Sequence, residues 1–84
     1  MNPPYRLVVR TSEPTWLSVR TGDGRVMEDT IPAGETREWA SNTPFVVTIG
    51  NAGGLRFELN GRELPPLGAR GAVIYRLALP PATP

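Results

Sequence analysis

The chain has no cysteine, no histidine and no lysine; all nine of its basic residues are arginine. Without Cys there is no disulfide and no thiolate nucleophile, and without His there is no imidazole base or Cys/His zinc set. Without Lys there is no Schiff base and no P-loop lysine. Long apolar runs are missing too, the longest being Ala72 to Tyr75. A membrane span needs about 20 such residues and the core of a signal peptide about 7 to 15. By itself the chain therefore reads as soluble and without an export signal. Net charge is +1, with the arginines scattered from Arg6 to Arg76, whereas a nucleic-acid binder of this size is usually more basic and more clustered. These absences point away from an enzyme and predict no cofactor and no metal.

What remains is a pattern of strands and turns. Eighty-four residues suffice for one small domain. Nineteen Pro and Gly residues punctuate short apolar segments about every ten positions, the spacing of an all-β sandwich or barrel. Seven runs are predicted: Tyr5 to Arg10, Thr15 to Thr21, Arg25 to Ile31, Glu35 to Ala40, Phe45 to Ile49, Leu55 to Leu59, and Ala72 to Leu79. Gly22-Asp23-Gly24 closes one hairpin. Asn60-Gly61, whose residues both tolerate positive φ, closes another, with Arg62-Glu63-Leu64 as a short return stroke. The fourth run is the weakest, since its residues also fit one helical turn; as a strand it puts Arg37 and Trp39 on one side.

No segment carries a sustained 3.6-residue apolar period, so no substantial helix is expected. An immunoglobulin-like antiparallel β-sandwich of about seven strands fits better than a five-stranded OB barrel. Period-two alternation predicts a core of Leu7, Val9, Leu17, Val19, Phe45, Val47, Ile49, Leu55, Phe57, Leu59, Val73, Tyr75 and Leu77. Residues 5–79 form the domain, residues 1–4 a flexible start, and residues 80–84 an extended Pro-rich tail. Met1 reads equally as a natural start or as a boundary within a longer protein.

Few constellations carry chemistry. Gly50-Asn51-Ala52-Gly53-Gly54 invites a phosphate-loop reading, but no helix follows and a corner between strands needs such glycines anyway. The eight carboxylates lack the deep cleft of a glycosidase, and Glu28-Asp29 lacks the further oxygen ligands of a calcium loop. Ser12, Ser18 and Ser41 have no His or Lys partner. Trp16 beside Arg20, and Trp39 beside Arg37, are the candidate partner-binding residues. An exposed indole next to a guanidinium can stack on a sugar or anchor a protein, although packing with arginine stems laid over the ring explains them as well.

The order of landmarks resembles a known family. Trp16-Leu17-Ser18-Val19, Asp23-Gly24, Ala33-Gly34-Glu35, Pro44-Phe45, Ile49-Gly50-Asn51-Ala52-Gly53 and Leu59-Asn60-Gly61 are similar to the C-terminal extracytoplasmic domain of RodZ-type bacterial cell-shape proteins. The resemblance runs from about Tyr5 to Leu79. It implies a β-sandwich displayed outside the cytoplasmic membrane, in a protein that links the bacterial actin cytoskeleton to cell-wall elongation. It also implies a protein partner in the cell envelope, with the membrane reached only through an anchor of the parent protein. The family's helix-turn-helix module and transmembrane segment have no counterpart in this sequence, and the resemblance supplies no catalytic residue. Two other readings stand beside it. One is carbohydrate or peptidoglycan binding through Trp16, Trp39 and neighbouring arginines. The other is single-stranded nucleic-acid binding by an OB-like barrel using Tyr5, Trp16 and Arg20; the expectation is that this domain does not bind nucleic acid.

Overall fold

A two-residue period puts alternate side chains on opposite sides of a pleated strand, and in this chain one side is consistently apolar. The computed structural model describes residues 4–80. Apart from Pro4 and Pro80, the expected start at 1–4 and tail at 80–84 lie outside those residues. The strands are β1 (Tyr5–Thr11), β2 (Thr15–Thr21), β3 (Val26–Ile31), β4 (Thr36–Ser41), β5 (Phe45–Ile49), β6 (Leu55–Leu59), β7 (Arg62–Glu63) and β8 (Ile74–Leu79). They form two four-stranded sheets, β4-β1-β6-β7 and β3-β2-β5-β8, in which every pairing is antiparallel. The fold is thus the expected all-β sandwich, with eight strands where about seven were expected. The additional strand is β7, the return stroke after the Asn60-Gly61 turn, where φ is 52° and 83° at the two central residues, as a type I′ turn requires.

The inner faces meet in one core. Leu7 and Val9 of β1, Leu17 and Val19 of β2, Phe45, Val47 and Ile49 of β5, and Leu55, Phe57 and Leu59 of β6 are all buried, as the alternation predicts. Ile31, Ala52 and Leu79 join them. Three hydroxyls are buried at strand ends, where they bond backbone that the ladder leaves unpaired. The Thr11 hydroxyl donates to the Pro32 carbonyl (2.6 Å) and accepts from the Glu35 amide (3.0 Å). The Thr15 hydroxyl donates to the Glu13 carbonyl, and the Ser41 hydroxyl accepts from the Thr43 amide.

The last strand departs from the expected alternation. Val73 is 47% exposed and Tyr75 is 75% exposed, so neither belongs to the core, and Leu77 is only half-buried. The cause is a β-bulge. Val47 pairs with Leu77 and Ile49 with Ile74, so Thr48 alone faces both Tyr75 and Arg76. One extra residue inverts the parity of everything before it. Ile74 takes the inward place that Val73 and Tyr75 were expected to share, and Arg76 absorbs the distortion at φ 51°. The strand starts at Ile74 and not at Ala72 because the Ala72 amide bonds the Ala69 carbonyl, and the Ala72 carbonyl accepts from Ala52.

Candidate functional site

The structure divides the four candidate residues between two places. Trp16 and Arg20 lie on the outer face of the β3-β2-β5-β8 sheet, because Leu17 and Val19 between them point into the core. Trp16 is 40% exposed. Gly50 makes room for it: its amide bonds the Trp16 carbonyl at 2.8 Å, and a Cβ there would sit 3.2 Å from the Trp16 Cβ. Further along the same face, Ser18, Arg20, Val46, Thr48 and Arg76 line a shallow concavity of about 340 Å³. Among the described residues neither Arg20 nor Arg76 has an ion-pair partner. The bulge sets Arg76 there, with its amide on the Thr48 hydroxyl at 3.3 Å.

Arg37 and Trp39 lie elsewhere, at the seam where edge strands β3 and β4 of the two sheets approach each other. The Arg37 guanidinium bonds Glu35 of the preceding turn (2.9 Å) and Asp29 of β3 (3.4 Å). These carboxylates, Glu35 first, hold its pKa above the ordinary arginine value. The Trp39 indole N–H donates to the Met27 sulfur at 2.9 Å, and the ring packs against the core. The Trp39–Met27 contact latches one sheet to the other, with the solvated Arg37–Asp29 pair beside it. Beside the latch runs a cleft of about 360 Å³, lined by Arg25, Val26, Met27, Trp39 and Ala40 among others.

Other surfaces are accounted for by structure. The outer face of the β4-β1-β6-β7 sheet is a solvated lattice of charges around Val8, with Arg6 paired to Glu38 (2.8 Å) and Arg10 to Glu58 (3.6 Å). The glycine corner cannot cradle an anion. Its Gly50, Ala52, Gly53 and Gly54 amides already bond the carbonyls of Trp16, Ala72, Ala69 and Asn51. Ala52–Gly54 forms a 3₁₀ turn with Ala52 and Gly54 buried, so the corner is a packed one. Asn51 ties it down further, donating to Glu13 (3.0 Å) and accepting from the Gly71 amide (2.7 Å), while Arg70 pairs with Glu13 at 2.5 Å. These contacts, the Asn51 bond first, lower the Glu13 pKa. Among the described residues no three Asp or Glu side chains cluster as metal ligands would, and no buried side-chain polar atom lacks a partner.

Tyr5 packs against the core from β1, in the opposite sheet from Trp16 and Arg20, so the three do not form one stacking platform. The exposed Val26 and Met27 of β3 and the unpaired Arg76 were not singled out from the sequence. A strand pattern does not say which strands end up at sheet edges, and nothing in the last run announces the bulge.

Among the described residues no helix is long and apolar enough to cross a membrane. Searches of curated proteins and of solved structures find no match to the chain. A family model described as the RodZ C-terminal domain matches residues 8–78. That stretch takes in every strand from within β1 to within β8, and by it the chain belongs to the RodZ C-terminal domain family.

Proposed function

We propose that this domain is a non-enzymatic interaction module, carried on the extracytoplasmic face of the bacterial cytoplasmic membrane by a RodZ-type protein that links the actin cytoskeleton to cell-wall elongation. The observation that supports this most is the family match across residues 8–78, nearly the whole sandwich. The surface agrees with it. The concavities are open, and the carboxylates lie on solvated faces or in ion pairs. Such a surface is suited to holding a protein partner, not to transforming a substrate.

Immobilised domain incubated with a detergent-solubilised envelope fraction should retain specific envelope proteins. Recovery of cytoplasmic proteins alone would count against the proposal. Exposed Trp16, with Arg20 on the same face, supports a second reading, binding of peptidoglycan fragments. It predicts a change in Trp fluorescence on titration with soluble muropeptides, lost in Trp16→Ala. An unchanged spectrum at millimolar ligand removes it. Trp39, bonded to Met27 in the seam, is not part of that platform.

A further inference from the structure

The sandwich treats its two pairs of edge strands differently. On one side, β7 is two residues long and runs on toward Pro65-Pro66, while β8 carries the bulge and ends at Pro80. Short length, bulges and prolines are what keep a sheet edge from accepting another strand. On the other side β3 and β4 have six residues each, no internal proline and an unbroken register. Of the two, β3 is the more open. Five of its six residues are exposed, among them Val26 at 48% and Met27 at 51%.

The free backbone groups of β3 follow from its register. The Thr21 amide bonds the Arg25 carbonyl, which makes these two a hydrogen-bonded pair. Alternation along an antiparallel ladder then turns the backbone of Met27, Asp29 and Ile31 toward β2, and that of Val26, Glu28 and Thr30 outward.

We propose that the chain dimerises about a two-fold axis by antiparallel pairing of β3 with β3 of a second copy, centred on Met27. A two-fold axis through the sheet requires a residue to oppose itself or one an even number of positions away, so that inner faces stay together. Few registers meet that condition with useful overlap. Centring on Glu28 opposes two glutamates, and centring on Asp29 opposes two aspartates; like charges directly opposite are unfavourable. Centring on Val26 pairs little of the strand. Centring on Met27 sets Arg25 against the partner's Asp29 and the reverse, with Val26 against the partner's Glu28 supplying the ladder bonds. Charge complementarity thus selects a second copy in one register. Arg25 and Asp29 now hold Asp23 and Arg37 in exposed pairs at 3.2 and 3.4 Å, which contribute little and are readily exchanged. The same register brings two Met27–Trp39 clusters together and covers the exposed apolar side chains at the cleft.

The chain has no cysteine, so single substitutions give unambiguous crosslinks. Met27 would face itself at a non-hydrogen-bonded position, with Cα atoms about 4.5 Å apart, which suits a disulfide. Mild oxidation should convert Met27→Cys to a covalent dimer at least tenfold faster than Glu28→Cys or Asp29→Cys. Sedimentation of the unmodified chain between about 10 µM and 1 mM should show reversible dimers, a range fitting so small an interface. Met27→Lys should abolish them with the β fold retained by circular dichroism, at some cost in thermal midpoint because the Met27 sulfur also holds the Trp39 indole. Reversing Arg25→Asp or Asp29→Arg singly should weaken association, and the double reversal should restore it. A chain that stays monomeric throughout, including one whose β3 edge instead takes up an unrelated peptide, overturns the proposal. Equal or faster crosslinking of Glu28→Cys overturns it too.

Discussion

The bulge in β8 can be tested by comparing two residues whose roles it exchanges. Plain alternation puts Tyr75 and Leu79 on the same face of the last strand; the structure leaves Leu79 1% exposed and Tyr75 75% exposed. Truncating a buried leucine to alanine costs about 2–5 kcal/mol, according to how far the site collapses. Leu79 lies on an edge strand with one flank open to relaxation, which argues for the lower part of that range, about 2–3 kcal/mol. A domain of this length has a total stability of about 4–13 kcal/mol. Each kcal/mol moves its thermal midpoint by about 4–8 °C. Leu79→Ala should therefore lower the midpoint by about 8–24 °C, followed by far-ultraviolet circular dichroism. Tyr75→Thr keeps strand propensity, removes a solvated ring and should stay within about 0.5 kcal/mol, or 4 °C, of the parent. Comparable losses from the two substitutions would refute the bulge and restore a strand running straight from Val73 to Leu79.

Three further outcomes are expected. Arg76→Gly removes a left-handed conformation that costs a non-glycine residue about 1–2 kcal/mol, against about 0.5–1 kcal/mol of glycine entropy; the midpoint should rise by a few degrees, and a fall would contradict the φ of 51°. Gly53→Ala would set a Cβ 2.3 Å from the Arg70 amide nitrogen, so a loss of about 1–3 kcal/mol is expected in urea unfolding, and a neutral result would mean the 65–73 loop does not press on the corner. Glu13 is held below its ordinary pKa by Asn51 first and then Arg70, and Asp23 by the Thr21 hydroxyl first and then Arg25. A depressed folded pKa gives stability that is fully present above the ordinary values, 4.5 and 3.8, and is lost as pH falls through the folded ones. The thermal midpoint should decline in acid, and less steeply in Glu13→Gln; identical acid profiles for parent and variant would contradict this.

Most of the fold is legible in the sequence because it rests on local patterns. Leu7 and Val9, Leu17 and Val19, and Leu55, Phe57 and Leu59 alternate without exception, and each is buried. Asn60-Gly61 specifies its turn from two residues alone. Two features depend on pairing and escape a one-dimensional reading. The bulge exists only relative to Thr48 on β5, and a sequence with the right β-branched and aromatic residues around Tyr75 gives no sign that one of them is extra. Ile31 closes the core because β3 lies beside β2 and Thr15 faces it, an arrangement that the polar run Glu28-Asp29-Thr30 does not suggest.

The candidate site illustrates the same limit. Trp16 with Arg20 and Trp39 with Arg37 look alike in the sequence, an aromatic and a guanidinium on one side of a strand. Their surroundings separate them. Interior strand β2 has neighbours on both sides, so its outward side chains can only stand on the sheet surface, and Trp16 is accessible there. Edge strand β4 leaves the inward-facing Trp39 and Arg37 at the open lip of the sandwich, where they find Met27 and Asp29 of β3 and join the sheets. Replacing Trp39 by Ala should thus cost the more stability by releasing that lip, whereas replacing Trp16, 40% exposed, by Ala should cost less and chiefly affect what the surface binds. If Trp16→Ala were the more destabilising of the two in thermal unfolding, the assignment of one tryptophan to the surface and the other to the seam would be wrong.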